Sequence, residues 1–193
     1  MKLSASRSIT VLLLIAGIIT LADAIWIPVK AEVAQHLLEH AWERARHGEA
    51  DARPWIWADT TPVARLAFPD HGEEMLVLEG ASGRTMAFGP GHLNGTSSPG
   101  AGGNCVIAGH RDTHFRILER VDQGDRLEIG TVDGRNRRYV VASTRIVTED
   151  RTDVLRQDGG ERVTLITCYP FDAIRPGGPL RLVVVATPER AVR

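Results

Sequence analysis

The stretch Val163-Thr-Leu-Ile-Thr-Cys168-Tyr-Pro170 joins an apolar, β-type run to a cysteine and places a proline two residues later. Because proline cannot donate to a central ladder, this pattern predicts a buried strand that ends at Cys168. A thiol at a strand end borders loops and clefts, where it is more accessible than a thiol in mid-strand. Cys168 is therefore a candidate nucleophile.

A second apolar run, Cys105-Val-Ile-Ala-Gly-His110, ends in the same way and places a histidine just beyond its strand. A cysteine and a histidine at two strand ends form a candidate pair of nucleophile and proton-transfer group. The alternative is a structural disulfide between Cys105 and Cys168. If His110 lies beside Cys168, however, Cys105 lies about 16 Å away along an extended strand, whereas a disulfide needs Cα atoms within roughly 7 Å. Cys105 is then predicted to be a buried free thiol.

Short β-type segments surround these two runs and are separated by Gly, Pro, Asp and Asn. The pair Asp133-Gly134 predicts a tight hairpin turn, and the glycine-rich stretch Phe88–Gly103 predicts a surface loop that borders a site. A short helix is predicted at Phe115–Val121. The alternation of short β-type segments with turn residues predicts a mainly β, mostly antiparallel barrel or sandwich. Strands are predicted at Val63–Phe68, Glu74–Leu78, Asn104–Gly109, Arg126–Ile129, Tyr139–Val147, Val163–Cys168 and Arg181–Ala186.

The N-terminal segment differs from the rest, because Lys2 and Arg7 precede an apolar run from Ile9 to Ala22 that resumes after Asp23 and extends to Val29. These 21 residues suit an uncleaved membrane anchor. A cleaved signal peptide ending at Ala22-Asp23-Ala24 is the other interpretation. We favour the anchor, and in either case the bulk of the chain is expected to be exported. Apolar residues at three- and four-residue spacing then predict an amphipathic helix over Ala31–Arg46. The predicted organisation is an anchor over 1–30, a helix and linker over 31–60 and a catalytic domain over 61–193.

Composition narrows the partners. The 193-residue chain has 23 Lys and Arg against 24 Asp and Glu, with a formal net charge of -1. This balance lacks the basic excess that binding to a phosphate backbone requires, so nucleic acid is not expected as a partner.

The quoted motifs resemble those of the sortases, a family of cysteine transpeptidases. Thr164-Leu-Ile-Thr-Cys168, then Arg181-Leu-Val-Val-Val-Ala, and Ala108-Gly-His110-Arg match the family's cysteine, arginine and histidine motifs in chain order. The stretches Pro54-Trp-Ile-Trp, Phe88-Gly-Pro-Gly-His and Gly178-Pro-Leu-Arg resemble a proteobacterial subgroup, the class typical of marine proteobacteria. The resemblance covers roughly Trp42 to Ala186. It implies a closed β-barrel of about eight strands with short helices.

The same resemblance implies a reaction. Cys168 would attack a carbonyl of a C-terminal sorting signal on an exported protein, with a motif of the Leu-Pro-x-Thr kind. His110 would protonate the leaving amine, Arg181 would stabilise the oxyanion, and an amine acceptor would resolve the thioester. Arg175 competes for the arginine role and Arg111 is a third candidate. The implied location is the bacterial inner membrane, with the catalytic domain in the periplasm.

Other interpretations remain open at this stage. His110, Asp112 and His114 could be metal ligands, but two histidines four apart share a face only on a helix, and their surroundings read as strand and turn. We predict no metal site and no cofactor, and no acidic cluster in the sequence justifies predicting the calcium that some sortases use. The alternative function is a non-catalytic, membrane-anchored periplasmic β-barrel that binds peptides, in which Cys168 is structural. Reactivity of the Cys168 thiol separates the two.

Overall fold

The structure, a computed structural model, describes residues 2–175 and 177–189, and describes only the backbone of residues 2–6, 8, 9, 21–25, 27 and 28. A single α-helix, α1, runs from Lys2–Arg46. The predicted amphipathic helix is therefore the C-terminal part of a longer one. Within the described residues, no helix is both long and apolar enough to cross a membrane. The anchor over 1–30 stays a prediction, and the side chains of Lys2 and Ala22-Asp23-Ala24 lie outside the described residues.

Contacts divide the chain into two compact units, one ending at Leu37 and the other beginning at Leu38. The boundaries predicted from sequence, after residues 30 and 60, stay predictions. The second unit contains the end of α1 and all the strands.

The strands are β1 (Pro62–Phe68), β2 (Glu73–Glu79), β3 (Gly91–His92), β4 (Asn104–Ala108), β5 (Arg126–Thr131), β6 (Asn136–Thr148), β7 (Arg162–Tyr169) and β8 (Leu180–Pro188). They form a closed barrel in the order β1-β2-β3-β4-β7-β8-β6-β5. Of the eight pairings, β2 with β3 and β4 with β7 are parallel, and the other six are antiparallel. The barrel predicted from the sequence is confirmed, and so is the hairpin, which joins β5 to β6.

The stretch Phe88–Gly103 was predicted to be wholly a surface loop, and this is wrong in one place. Its residues Gly91–His92 form β3, which closes the barrel between β2 and β4. A Cβ on Gly91 would lie 2.2 Å from the carbonyl oxygen of Gly80. The close approach therefore requires glycine here, and the glycine that signalled a loop serves a strand.

The barrel interior is packed by apolar side chains that alternate along the strands, as the period of a half-buried strand requires. Phe115, from the 3-10 helix His114–Glu119, fills one end and is fully buried. Outside the barrel, Leu38 and Trp42 of α1 pack with Leu76 and Leu78 of β2. Arg65 of β1 forms an ion pair with Glu39 of α1, in which its Nη2 lies 2.6 Å from a carboxylate oxygen.

Candidate active site

The three residues singled out by the sequence lie on the outward face of β7 and β8 and just past the end of β4. Along β7, Val163 and Leu165 belong to the barrel core, so Cys168 points away from it by alternation. Cys168 and Arg181 are direct partners across the β7–β8 ladder. Direct partners have Cα atoms about 4.5–5.5 Å apart and side chains on the same face. Arg181 therefore lies beside the thiol.

His110 reaches the other side of Cys168 through the parallel pair of β4 and β7. The ladder pairs Ala108 with Ile166, so two further steps bring His110 level with Cys168. Two bonds extend the pairing past the end of β4: Gly109 N donates to Ile166 O at 3.1 Å, and Thr167 Oγ1 donates to Gly109 O at 2.8 Å. The structure thus brings His110, Cys168 and Arg181 into one row across three neighbouring strands. Each side chain of the row is partly exposed.

Gly109 fixes the direction of the histidine. A Cβ at this position would lie 2.8 Å from two ring atoms of Phe115 in the core. Gly109 therefore faces inward, and alternation sends His110 outward toward the row.

We expect Gly109→Ala to lower both stability and activity, because the new methyl group meets an aromatic ring that is fully buried. Overpacking of this kind costs roughly 1–3 kcal/mol. Thermal unfolding and initial rates on a peptide substrate measure the two effects. Gly130→Ala is the matched control, since its nearest neighbour is 3.7 Å away. Equal behaviour of the two variants would contradict this account of Gly109.

The two cysteines have different surroundings. Both are free; Cys105 is buried, and Cys168 is partly exposed. Cys105 pairs with Val163, five residues from Cys168, and belongs to the barrel core. The geometry therefore excludes the disulfide alternative. Burial raises the pKa of the Cys105 thiol to about 12.

Alkylation is expected to distinguish the two thiols. With iodoacetamide near pH 8, the folded protein should take up one label, at Cys168, because the buried and neutral Cys105 thiol is a poor nucleophile. In denaturant both thiols should react. Peptide mapping by mass spectrometry locates the labels. If Cys105 reacted before Cys168 in the folded protein, the placement of Cys105 in the core and of Cys168 on the outward face would be contradicted.

Arg181 is held in place by three hydrogen bonds. Its Nη1 donates to the carbonyl oxygens of Gly178 and Leu180, at 2.6 and 2.9 Å. Its Nη2 donates to the carboxylate of Glu149 at 2.6 Å. A guanidinium has five N–H donors, so these bonds leave donors for a developing oxyanion. No sequence pattern points to Glu149 as a partner of Arg181, because it lies 32 residues away along the chain.

The other two arginines are placed differently. The Arg175 side chain is exposed in the loop between β7 and β8, outside either ladder. Arg111 is buried, and its guanidinium donates to backbone carbonyls of that loop. Of the three candidates, Arg181 alone is the ladder partner of Cys168. This geometry favours Arg181 for the oxyanion role.

We expect Arg181→Ala to lower kcat by roughly 10²–10³-fold, the usual cost of losing one oxyanion donor. Arg175→Ala is the matched control and should stay within about threefold of the parent rate, as an exposed loop change does. Steady-state rates on one peptide decide between them. The reverse order of effects would transfer the role to Arg175.

The histidine segment shows no metal geometry. Among the described residues, no group of three or more His, Cys, Asp or Glu side chains is arranged to hold a metal ion. His92 is buried and its Nε2 bonds to Ser97 O at 3.0 Å. His114 interacts electrostatically with His110. Burial first, and then that charge, lowers the pKa of the His114 imidazole.

Two open depressions are lined by residues that lie close to His110 or to Cys168 along the chain. One, of about 490 Å³, is lined by His114, Met75 and Ile117 among others. The second, also about 490 Å³, is lined by Tyr169 and Pro170, which directly follow Cys168. Both have mixed apolar and charged walls.

A closed eight-stranded barrel with a cysteine, a histidine and an arginine in one outward row defines a class of candidate cysteine enzymes. The chain belongs to the sortase family, since the model of the sortase domain matches residues 66–189. Sortase D of Bacillus subtilis (strain 168) is 32% identical over 120 residues, which are 62% of this chain and 60% of that relative. The chain therefore matches less than two thirds of that relative's length.

Solved structures share the fold. The Clostridium perfringens sortase D5 transpeptidase has a TM-score of 0.60 at 24% identity, over 79% of this chain and 89% of that one. Sortase A from Corynebacterium diphtheriae has a TM-score of 0.62 at 24% identity, over 81% and 84%. At this identity the likeness shows the fold alone.

Proposed function

We propose that the chain is a cysteine transpeptidase that cleaves a C-terminal sorting signal of an exported protein and transfers the acyl part to an amine acceptor. The observation that carries the proposal is the row of His110, Cys168 and Arg181 across three strands of a sortase-family barrel. The Bacillus protein named above is a sortase and the Clostridium protein is a sortase transpeptidase, and the proposal extends this activity class to the present chain.

The first half-reaction forms a thioester. The Cys168 thiolate attacks the scissile carbonyl carbon, and the carbonyl oxygen becomes an oxyanion that accepts hydrogen bonds from Arg181. The C–N bond then breaks while the protonated His110 imidazole gives its proton to the leaving amine. The products are an acyl-enzyme on Cys168, a neutral His110 and a free C-terminal peptide.

The second half-reaction runs the same groups in reverse. Neutral His110 takes a proton from the incoming amine as its nitrogen attacks the thioester carbonyl. Arg181 again stabilises the oxyanion, the C–S bond breaks and Cys168 leaves as a thiolate. Water in place of the amine gives hydrolysis, so one set of residues accounts for both outcomes.

A transfer assay tests this function. The protein is incubated with peptides of the Leu-Pro-x-Thr type, with and without a short glycine peptide as the amine, and the products are separated by chromatography. We expect the same C-terminal fragment in both reactions and a new amide product only with the amine. A folded protein that binds these peptides but cleaves none, with an unreactive Cys168, would instead support the non-catalytic peptide-binding barrel.

We further propose that the protein is exported, that residues 1–30 hold it to the inner membrane with the barrel in the periplasm, and that it belongs to the proteobacterial subgroup. Support comes from the basic flank and apolar run of the sequence and from the motif resemblance. Fractionation of cells and protease treatment of spheroplasts test the location. Recovery of the full-length chain in the soluble cytoplasmic fraction would overturn it.

A further inference from the structure

Arg111 is a buried cation with an unusual set of partners. The residue is only 8% exposed. Its Nη1 donates to Pro170 O at 2.8 Å, and its Nη2 donates to Ala173 O at 2.8 Å and Arg175 O at 3.2 Å. Among the described residues, no carboxylate pairs with it. A buried charge is costly unless it is hydrogen-bonded, so a guanidinium satisfied only by carbonyl oxygens needs those oxygens held in place.

The bonds of Arg111 join two segments that carry the proposed site. Arg111 directly follows His110, and its three acceptors lie two, five and seven residues after Cys168. The last contacts between β4 and β7 are those made by Gly109. Arg111 therefore continues the connection of the two strands beyond their ladder. His110 lies between these two connections, which constrain its backbone from both sides.

The same guanidinium shapes the loop after Cys168. Nη2 bridges the carbonyl oxygens of Ala173 and Arg175, which flank Ile174, and the Ile174 side chain is 99% exposed. A planar fork with two nitrogens can reach acceptors in these separate directions, whereas the single ammonium of lysine cannot span them. The bonding pattern thus depends on the guanidinium geometry and not only on its charge.

We propose that Arg111 is a positioning residue that sets the placement of His110 against Cys168 and fixes the β7–β8 loop beside the nucleophile. The inference rests on the proposed function, because its main readout is turnover. Arg111 does not contact substrate in this account. Its donors bind backbone carbonyls, so it acts through the segments that it joins.

Three variants test the role. Arg111→Lys keeps the charge and loses the fork, and Arg111→Gln loses both. Arg162→Lys is the matched control, since Arg162 is partly buried and donates to Arg156 O and Gly160 O near the start of β7, as well as to the carboxylate of Asp158. For each variant we measure thermal unfolding, kcat, KM and the pH profile of kcat/KM on one peptide.

We expect Arg111→Lys to fold, to lose about tenfold or more in kcat with a smaller change in KM, and to shift the pH profile, because proton transfer depends on the distance between the paired groups. Arg111→Gln should be no better. Arg162→Lys should lower the unfolding temperature and leave kcat and the pH profile unchanged. A folded Arg111→Lys protein with the parent kcat and pH profile would overturn the proposal, as would equal kinetic effects in the control.

Hydrogen exchange supplies a second test that needs no variant and no turnover. If Arg111 holds the loop, amides within 171–175 of the parent protein exchange more slowly than those of an unstructured peptide. Exchange at the unstructured rate would overturn the proposal even if both variants failed to fold. If the parent protein turned over no peptide, the proposed function would fail, while this measurement would still decide whether the loop is held.

Discussion

Replacing Cys168 with alanine is expected to abolish both cleavage and transfer. Loss of the nucleophile in enzymes that use covalent catalysis costs roughly 10⁴-fold or more, which leaves only background turnover. The structure offers no substitute for Cys168, because the second thiol, Cys105, faces the barrel core and is only 4% exposed. Chromatographic rates on a sorting-signal peptide, compared with the parent protein, measure the effect.

Cys105→Ala is the matched control for that experiment. It removes a thiol of the same kind from the opposite face of the sheet, so it should change stability more than rate. We expect its kcat to stay within about threefold of the parent value. A Cys168→Ala protein that retained a tenth or more of the activity would contradict the assignment of the nucleophile.

Replacing His110 with glutamine is expected to lower the rate on peptides by roughly 10²–10⁴-fold. Glutamine keeps a polar side chain of similar size but cannot carry a proton to the leaving amine. An ester substrate needs little protonation of its leaving group, so the loss should be much smaller when an ester replaces the scissile amide. Parallel assays with matched amide and ester substrates measure this difference.

His114→Gln is the control, because His114 lies four residues further on and interacts electrostatically with His110. Because His114 lies outside the row of His110, Cys168 and Arg181, its replacement should change the rate by less than about fivefold. A uniform loss on amide and ester substrates in His110→Gln would contradict the role of His110 as the acid for the leaving group. A larger loss in His114→Gln would move that role to His114.

Much of the barrel follows from local pattern. All seven strands predicted from apolar runs are present, with ends that differ by a few residues, because each run has an interior face and turn residues on both sides. The eighth, β3, is two residues long and glycine-containing, so no periodic pattern can reveal it. Its place depends on the approach of Gly91 to Gly80, which is a property of the assembled barrel.

Part of the candidate site could also be predicted from local sequence pattern. The apolar runs before Cys168 and His110 show that each residue lies at the end of a strand. The alignment of the two residues depends on the β4–β7 register, which joins segments about 58 residues apart and has no local signature. Glu149 has no signal in the sequence, and Arg111 is marked only as a third candidate for the oxyanion role and not as a residue that holds a loop. Arg111 binds backbone carbonyls, which every residue carries, so its partners are set by the path of a loop and not by residue type.

The central claim is that Cys168 forms a thioester with the substrate. Mass spectrometry of the intact protein, quenched in acid shortly after mixing with a sorting-signal peptide, tests it most directly. The account predicts a mass increase equal to the acyl fragment, located by digestion on the peptide that contains Cys168 and removed by hydroxylamine. Peptide cleavage without any adduct on Cys168, or an adduct on another residue, would contradict it.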